Sequence, residues 1–197
     1  MTPEQALAFL VFSIVAAITP GPSNLMLTVA GAMAGILRGL PCLLGVGIGM
    51  ALMMFVVALG LGAIVFGHPA LVTILKLCGA AFLLWLSWKI ATAVHGDALA
   101  EARPVDFFGA FAFQWLNPKS WLVSAGASGT YLQTGGGVLI QALWIAGLFF
   151  AVALSCGFVW LAFGVAMRRM LKSPGSQRIF NVGMGLLLAS SVLLFLW

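Results

Sequence analysis

Six long apolar stretches divide this chain, and they limit its fold more than any other feature. An α-helix crosses the hydrocarbon core of a bilayer with about 20 predominantly apolar residues. Apolar types make up 63% of the 197 residues and charged types only 7%, whereas a soluble domain carries roughly 25% charged residues. We therefore predict an all-α integral membrane protein with six transmembrane helices, at residues 5–30, 40–66, 69–94, 107–132, 138–167 and 179–197.

The rest of the composition argues against several other classes. No linker or charge run separates a second domain, so we predict one membrane domain over residues 1–197. The net charge of +5 does not indicate nucleic-acid binding, because most basic residues lie between the apolar segments. The three cysteines form no CxxC pair, and no buried Ser/His/Asp or metal cluster is visible. We predict no enzyme activity, no cofactor and no metal.

Loop charges predict the orientation. Seven basic residues flank the 1–2, 3–4 and 5–6 connections, whereas Lys76 alone lies on the opposite side. Cytoplasmic loops are enriched in Lys and Arg, so we expect an inner-membrane protein with both termini outside. Because Glu4 is the only early charged side chain, we interpret the first segment as a retained helix, not a signal peptide.

Two polar, proline-containing runs interrupt the apolar pattern. They are TPGPSN at 19–24 and NPKS at 117–120. Proline removes a backbone hydrogen bond from a helix, and in lipid each freed polar group must find another partner. At about 1.5 Å per residue, Pro20 and Pro118 lie roughly 22 and 16 Å into their segments. We therefore predict that helices 1 and 4 are broken at mid-membrane.

The spacing of the breaks predicts two inverted three-helix repeats. Pro20 and Pro118 are 98 residues apart, each in the first helix of a half. A repeat with an odd number of spans inserts upside down relative to its twin, and paired broken helices indicate a transporter binding site. The repeats would cover about 1–94 and 107–197, joined by a cytoplasmic linker at 95–106.

Each break has the chemistry of a helix restart. Thr19 or Gly21, and Asn117, are good N-cap types, and each precedes a proline suited to the first helical position. A free helix N-terminus favours an anion. We predict that Lys119 and the restarted ends bind a substrate carboxylate, while neutral side chains receive the ammonium group. The candidate substrate-binding residues are Pro20, Gly21, Pro22, Ser23, Asn24, Lys76, Gln114, Asn117, Pro118 and Lys119.

Simpler roles remain open for several of these residues. Lys119 could anchor the helix by snorkelling, although it lies far from the cytoplasmic end. Lys76 could be an interface anchor, and each neutral side chain could form a helix–helix hydrogen bond. The chain has four acids, Glu4, Asp97, Glu101 and Asp106, and none lies mid-membrane. A buried anion would be expected for a basic substrate, so we predict a small neutral one.

These motifs resemble the lysine-exporter and homoserine/threonine-resistance (LysE/RhtB) superfamily of amino-acid exporters. The resemblance rests on TPGPSN, the glycine-rich second helix, KLCGAAF at 76–82 and NPK at 117–119. The runs at 79–93 and 111–119 most resemble the cysteine/O-acetylserine branch. The resemblance implies a six-helix exporter in the bacterial inner membrane, which moves small amino acids out of the cytoplasm and is driven by the proton motive force. Met50, Phe82, Gln114 and residues 124–130 depart from the common pattern.

The expected partners are a small amino-acid substrate and membrane lipid, with no nucleic acid; homodimerisation is left open. Threonine, homoserine or leucine are alternative substrates. A membrane thiol–disulfide conduit is an alternative of another class, but it would need cysteines at the two breaks. Cys42, Cys78 and Cys156 lie elsewhere.

Overall fold

The computed structural model describes residues 2–92, 105–133, 137–170 and 173–193. In those ranges the chain is helical and contains no β-strand. A π-helical segment, Val57–Leu61, follows the second helix. The α-helices are α1 (Pro3–Ile18), α2 (Pro22–Val56), α3 (Gly62–Phe66), α4 (Pro69–Ala91), α5 (Phe107–Leu116), α6 (Pro118–Tyr131), α7 (Val138–Met170) and α8 (Pro174–Ser190).

Among the described residues, three helical stretches are long and apolar enough to cross a membrane: Pro22–Phe66, Pro69–Ala91 and Val138–Met170. Helices α1 and α5 are apolar but shorter. Both end at one of the proline-containing runs, which accounts for their length. The predicted helical membrane protein is therefore supported, and the predicted interruptions of helices 1 and 4 are present.

The boundary between the first two predicted spans is wrong. Residues 5–30 and 40–66 were expected to be separated by a loop, but α2 continues from Pro22 to Val56 with one non-helical residue, Gly35. Gly35 has φ of 79° and ψ of −177°. A residue without a Cβ adopts this conformation at little steric cost, so one glycine makes the connection.

Other boundaries also differ from the expectation. The last span begins at Pro174 instead of residue 179, because Ser173 caps the helix and its hydroxyl accepts from the N–H of Ser176 at 3.2 Å. The π-helical segment was not predicted, and Gly60 within it has φ of 113°. Of the predicted linker at 95–106, residues 95–104 lie outside the described residues, as do 93–94 and 194–197.

Helix α2 is central and packs closely against α7. A Cβ on Gly31 would overlap the backbone of Leu161, and a Cβ on Gly164 would overlap the backbone of Thr28. The two backbones therefore approach each other more closely than any side chain would allow. This agrees with the packing role that glycine spacing favours in membrane helices.

Basic residues from separate connections lie at one end of the bundle. Arg168, near the end of α7, donates to the carbonyl oxygen of Met33 at 3.0 Å, just before the turn at Gly35. Met33 also shares a small cavity with Lys89, near the end of α4, and with Val105, before α5. Tyr131 and Ala8 meet elsewhere, through a hydrogen bond of 3.3 Å between the end of α6 and the start of α1.

Candidate substrate site at the two helix breaks

At the first break, the chain leaves α1 at Ile18 and begins α2 at Pro22. Of the two N-cap candidates, the structure selects Gly21, and Pro22 takes the first helical position. Thr19 instead ends α1, and its N–H donates to the carbonyl oxygen of Val15 at 3.1 Å. No side chain caps the N-terminus of α2.

At the second break, Asn117 is both the last cap of α5 and the first cap of α6. Its Oδ1 accepts from the N–H of Lys119 at 3.1 Å, and Pro118 takes the first helical position. The predicted N-cap is confirmed. This helix end is therefore satisfied by its own side chain, whereas the N-terminus of α2 is not.

A network of side-chain hydrogen bonds joins the two breaks. Asn117 Nδ2 donates to Ser23 Oγ at 3.0 Å, and Ser23 Oγ donates to Gln114 Oε1 at 3.1 Å. Ser120 Oγ donates to the same Gln114 oxygen at 3.1 Å. Gln114, Asn117 and Ser120 are all buried. Buried polar groups are costly unless they are paired, so this network holds the start of α2 against the junction of α5 and α6.

Three side chains from other elements donate to the carbonyl oxygens at the end of α1. Asn24 Nδ2 lies 2.9 Å from the oxygens of both Ala17 and Thr19. The Nζ of Lys119 lies 2.6 Å from the Thr19 oxygen. In addition, Trp160 Nε1 donates to the oxygen of Ile18 at 3.3 Å. Broken backbone bonds in a membrane helix need such partners.

A cavity of about 490 Å³, counted with its open mouth, lies between the breaks. Its lining combines polar residues from both breaks with apolar residues. Its polar lining comprises Gly21, Ser23, Asn24, Gln114, Asn117, Lys119 and Ser120, and its apolar lining comprises Ala16, Ala17, Leu27, Val46, Met50, Val123, Phe149, Ala153 and Gly157.

Comparison with known proteins identifies the family of this chain. A family model for LysE-type translocators matches residues 14–196. The chain belongs to the LysE-type translocator family. This confirms the resemblance carried by TPGPSN and NPK.

The translocator is also similar to curated proteins over nearly its whole length. It is 33% identical over 197 residues to the cysteine/O-acetylserine efflux protein of Salmonella typhimurium (strain LT2), with 95% of each chain covered. It is 31% identical over 194 residues to the protein of that name from Escherichia coli (strain K12), again with 95% of each covered. No solved structure matches the chain.

The structure of this LysE-type translocator brings most of the predicted site residues together. Six of the ten line the cavity: Gly21, Ser23, Asn24, Gln114, Asn117 and Lys119. The prolines at 20, 22 and 118 do not line it; two of them start the helices that carry the lining residues. Lys76, half-buried on α4, is not among the lining residues either.

Several cavity residues of the translocator were not predicted. Ser120 belongs to the NPKS run and could have been found from that motif. Phe149 and Ala153, on α7, carry no polar signal in an apolar segment. Trp160 does not line the cavity, but its hydrogen bond to the end of α1 was not predicted either. Only the packing of α7 beside the breaks identifies these residues.

The acidic residues of the described part of the chain lie away from the cavity. Among the described residues, the acids are Glu4 and Asp106, and both are exposed at helix starts. Asp97 and Glu101 lie outside the described residues. No group of three metal-ligating side chains occurs in the part of the chain that the structure describes. Lys119 is therefore the charged side chain of the cavity lining.

Proposed function

We propose that this translocator exports small neutral amino acids of the cysteine or O-acetylserine type from the bacterial cytoplasm. The observation that carries the proposal is the cavity between the breaks, where one lysine and several neutral hydrogen-bonding groups surround a small space. The names of the relatives from Salmonella and Escherichia coli support the same substrate class.

The cavity has groups for each part of such a substrate. The uncapped start of α2 and the ammonium of Lys119 favour a carboxylate. Met50 and Phe149 offer apolar contact to a short side chain. A substrate with a basic side chain would bring a second cation into a lining that has no carboxylate among the described residues. The lining therefore favours neutral substrates over lysine or arginine.

The six-helix arrangement of two inverted repeats is part of this proposal. Two pairs of residues that are 98 positions apart in the sequence lie in contact. A Cβ on Gly21 would be 3.1 Å from Lys119 Cδ, and Ser87 Oγ donates to the carbonyl oxygen of Gly185 at 2.6 Å. In a two-fold arrangement, residues near the axis contact their own equivalents. The same spacing separates Pro20 from Pro118 and supports the repeat.

We place the end that carries Arg168 and Lys89 in the cytoplasm. The contacts of Met33 draw the 1–2 turn, the end of α4 and the end of α7 together, and basic residues favour the cytoplasmic side. Both termini are then outside. We further propose that the proton motive force drives export, as the family resemblance implies.

The thiol–disulfide alternative gains no support. Cys42 and Cys156 are buried and Cys78 is exposed on α4, and none of the three lines the cavity. A conduit for electrons would need thiols at the breaks, where the chain has Ser23, Asn117 and Ser120.

Transport into inverted membrane vesicles tests the proposal, because export then appears as uptake. Labelled cysteine, O-acetylserine, threonine, homoserine, leucine and lysine would be compared with and without a pH gradient that is acid inside. We expect uptake of cysteine and O-acetylserine, increased by the gradient. Preferential uptake of threonine, homoserine or leucine would reassign the substrate. No uptake of any neutral amino acid above vesicles without the protein would contradict the proposal.

A further inference from the structure

The side chain of Lys119 lies across the first helix break, although it belongs to the second. Its Nζ is 2.6 Å from the carbonyl oxygen of Thr19, at the end of α1. The last carbonyl groups of a helix carry the negative end of its dipole. Asn24 donates to the same oxygen and to that of Ala17, both at 2.9 Å. The ammonium group of Lys119 therefore occupies a position that would also suit the ammonium group of an amino acid.

The side chain of Lys119 lies in a narrow space beside Gly21, at the first helix break. A Cβ on Gly21 would lie 3.1 Å from Lys119 Cδ and 3.2 Å from its Nζ. The lysine thus lies against the bare backbone of Gly21, between the end of α1 and the uncapped start of α2. The end of α1 supplies carbonyl oxygens, and the start of α2 supplies N–H groups that no side chain caps. An α-amino acid has the complementary pair of charges.

We propose that the carbonyl oxygen of Thr19, supported by Ala17 and Asn24, is the subsite for the substrate ammonium group, and that Lys119 occupies it until substrate binds. This inference rests on the proposed function. The substrate ammonium replaces the lysine at the Thr19 oxygen, and the released Nζ pairs with the substrate carboxylate.

This exchange leaves neither cation unpaired. A charged side chain without a partner inside a bilayer is costly. A zwitterion avoids this cost, because its ammonium binds the Thr19 carbonyl oxygen and its carboxylate binds Lys119. A ligand with only a carboxylate would pull Lys119 away and leave the carbonyl without a cation. A ligand with only an ammonium would displace Lys119 and give it no partner. The site therefore selects ligands that carry both groups.

Three ligands that each carry a thiol separate these requirements. Cysteine has both groups, N-acetylcysteine lacks the ammonium, and cysteamine lacks the carboxylate. Binding would be measured on the full chain in lipid nanodiscs, for the parent, Lys119→Met and Lys89→Met. Lys89 is a matched control. Its Nζ lies 5.0 Å from the ring centroid of Trp85, and it does not line the cavity between the breaks.

For the parent and Lys89→Met, we expect cysteine to bind at least about tenfold more tightly than either analogue, since each lost charge-assisted hydrogen bond is worth about that factor. For Lys119→Met, we expect cysteamine to bind at least about tenfold more tightly than it binds the parent, because its ammonium no longer competes with the lysine. N-acetylcysteine should bind Lys119→Met more weakly still. A gain in cysteamine binding cannot come from misfolding.

The outcomes separate the two proposals. O-acetylserine is added as a fourth ligand for the parent. If neither cysteine nor O-acetylserine binds the parent, the proposed function fails and this inference fails with it. If cysteine binds the parent but cysteamine binds Lys119→Met no better than the parent, the Thr19 carbonyl is not the ammonium subsite. The exporter proposal would then remain while the inference is overturned. Equal binding of cysteine and N-acetylcysteine to the parent would also overturn it.

Discussion

The side-chain amide of Asn117, at the start of α6, donates a hydrogen bond of 3.0 Å to the hydroxyl of Ser23, near the start of α2. The Ser23 hydroxyl in turn donates a hydrogen bond of 3.1 Å to Gln114 Oε1. The two helix breaks therefore depend on one another. Each supplies a polar group that the other needs, in surroundings with few alternative partners.

This relationship predicts that Ser23→Ala destabilises the fold. The substitution leaves a buried Asn117 donor without its partner, which costs about 1–3 kcal/mol. Thermal unfolding of the purified protein in detergent should show a clear decrease in Tm. Ser155→Ala is the matched control, because the Ser155 hydroxyl is exposed and donates only to Ala151 in its own helix. An equal effect of the two substitutions would show that the network does not stabilise the breaks.

Lys119→Met should reduce export at least tenfold, because removing a charge-assisted hydrogen bond costs about 1.5–3 kcal/mol. Methionine keeps the length of the side chain, so membrane abundance should stay near that of the parent. Lys119→Arg should also be impaired, since the larger guanidinium would not fit over Gly21. Initial uptake rates in inverted vesicles, normalised to protein by immunoblot, measure both. If Lys119→Met transports like the parent, the lysine is only an anchor.

Gly164→Ala should destabilise the contact between α2 and α7. The added Cβ would overlap the backbone at Thr28, which cannot rotate away as a side chain could. Overpacking of this kind costs about 1–3 kcal/mol. Gly147→Ala, in the same helix, is the control, because its Cβ would meet no atom within 4 Å. The yield of monodisperse protein in detergent and its Tm should fall only for Gly164→Ala.

Free lysine should not be exported. The cavity lining contains Lys119 and, among the described residues, no carboxylate to pair with a second ammonium. Burying an unpaired charge is costly. Efflux of lysine and cysteine would be compared in cells with and without the gene, loaded to equal internal levels. Lysine efflux that disappears on deletion of the gene would contradict the charge argument.

The basic connections should face the cytoplasm. Leu99→Cys and Gly175→Cys, in a background with Cys42, Cys78 and Cys156 replaced by alanine, would report on the 3–4 and 5–6 connections. A Cβ at Gly175 meets no atom within 4 Å, so the substitution should be tolerated. An impermeant thiol reagent should label both positions in inverted vesicles and neither in intact cells. Labelling in intact cells would reverse the predicted orientation.

Local sequence rules predicted the helix breaks well. Proline after a capping residue acts within a few positions, so the N-cap at Asn117 and the interruption before Pro22 follow without tertiary contacts. The same rules could not choose between Thr19 and Gly21, since both are acceptable caps. They also missed Gly35, because a glycine in a glycine-rich segment gives no sign of which residue will take a positive φ.

The sequence by itself determined that this chain is a helical membrane protein, where its helices break and which charge lies beside the second break. These properties depend on composition and near neighbours. Only the tertiary structure decided that Lys119 reaches Thr19, that Phe149 and Ala153 line the cavity, and that Lys76 does not. The physical reason is that these relationships join residues far apart in the chain. Phe149 and Ala153, for example, reach the cavity because α2 and α7 approach closely, and Gly31 and Gly164 permit that approach.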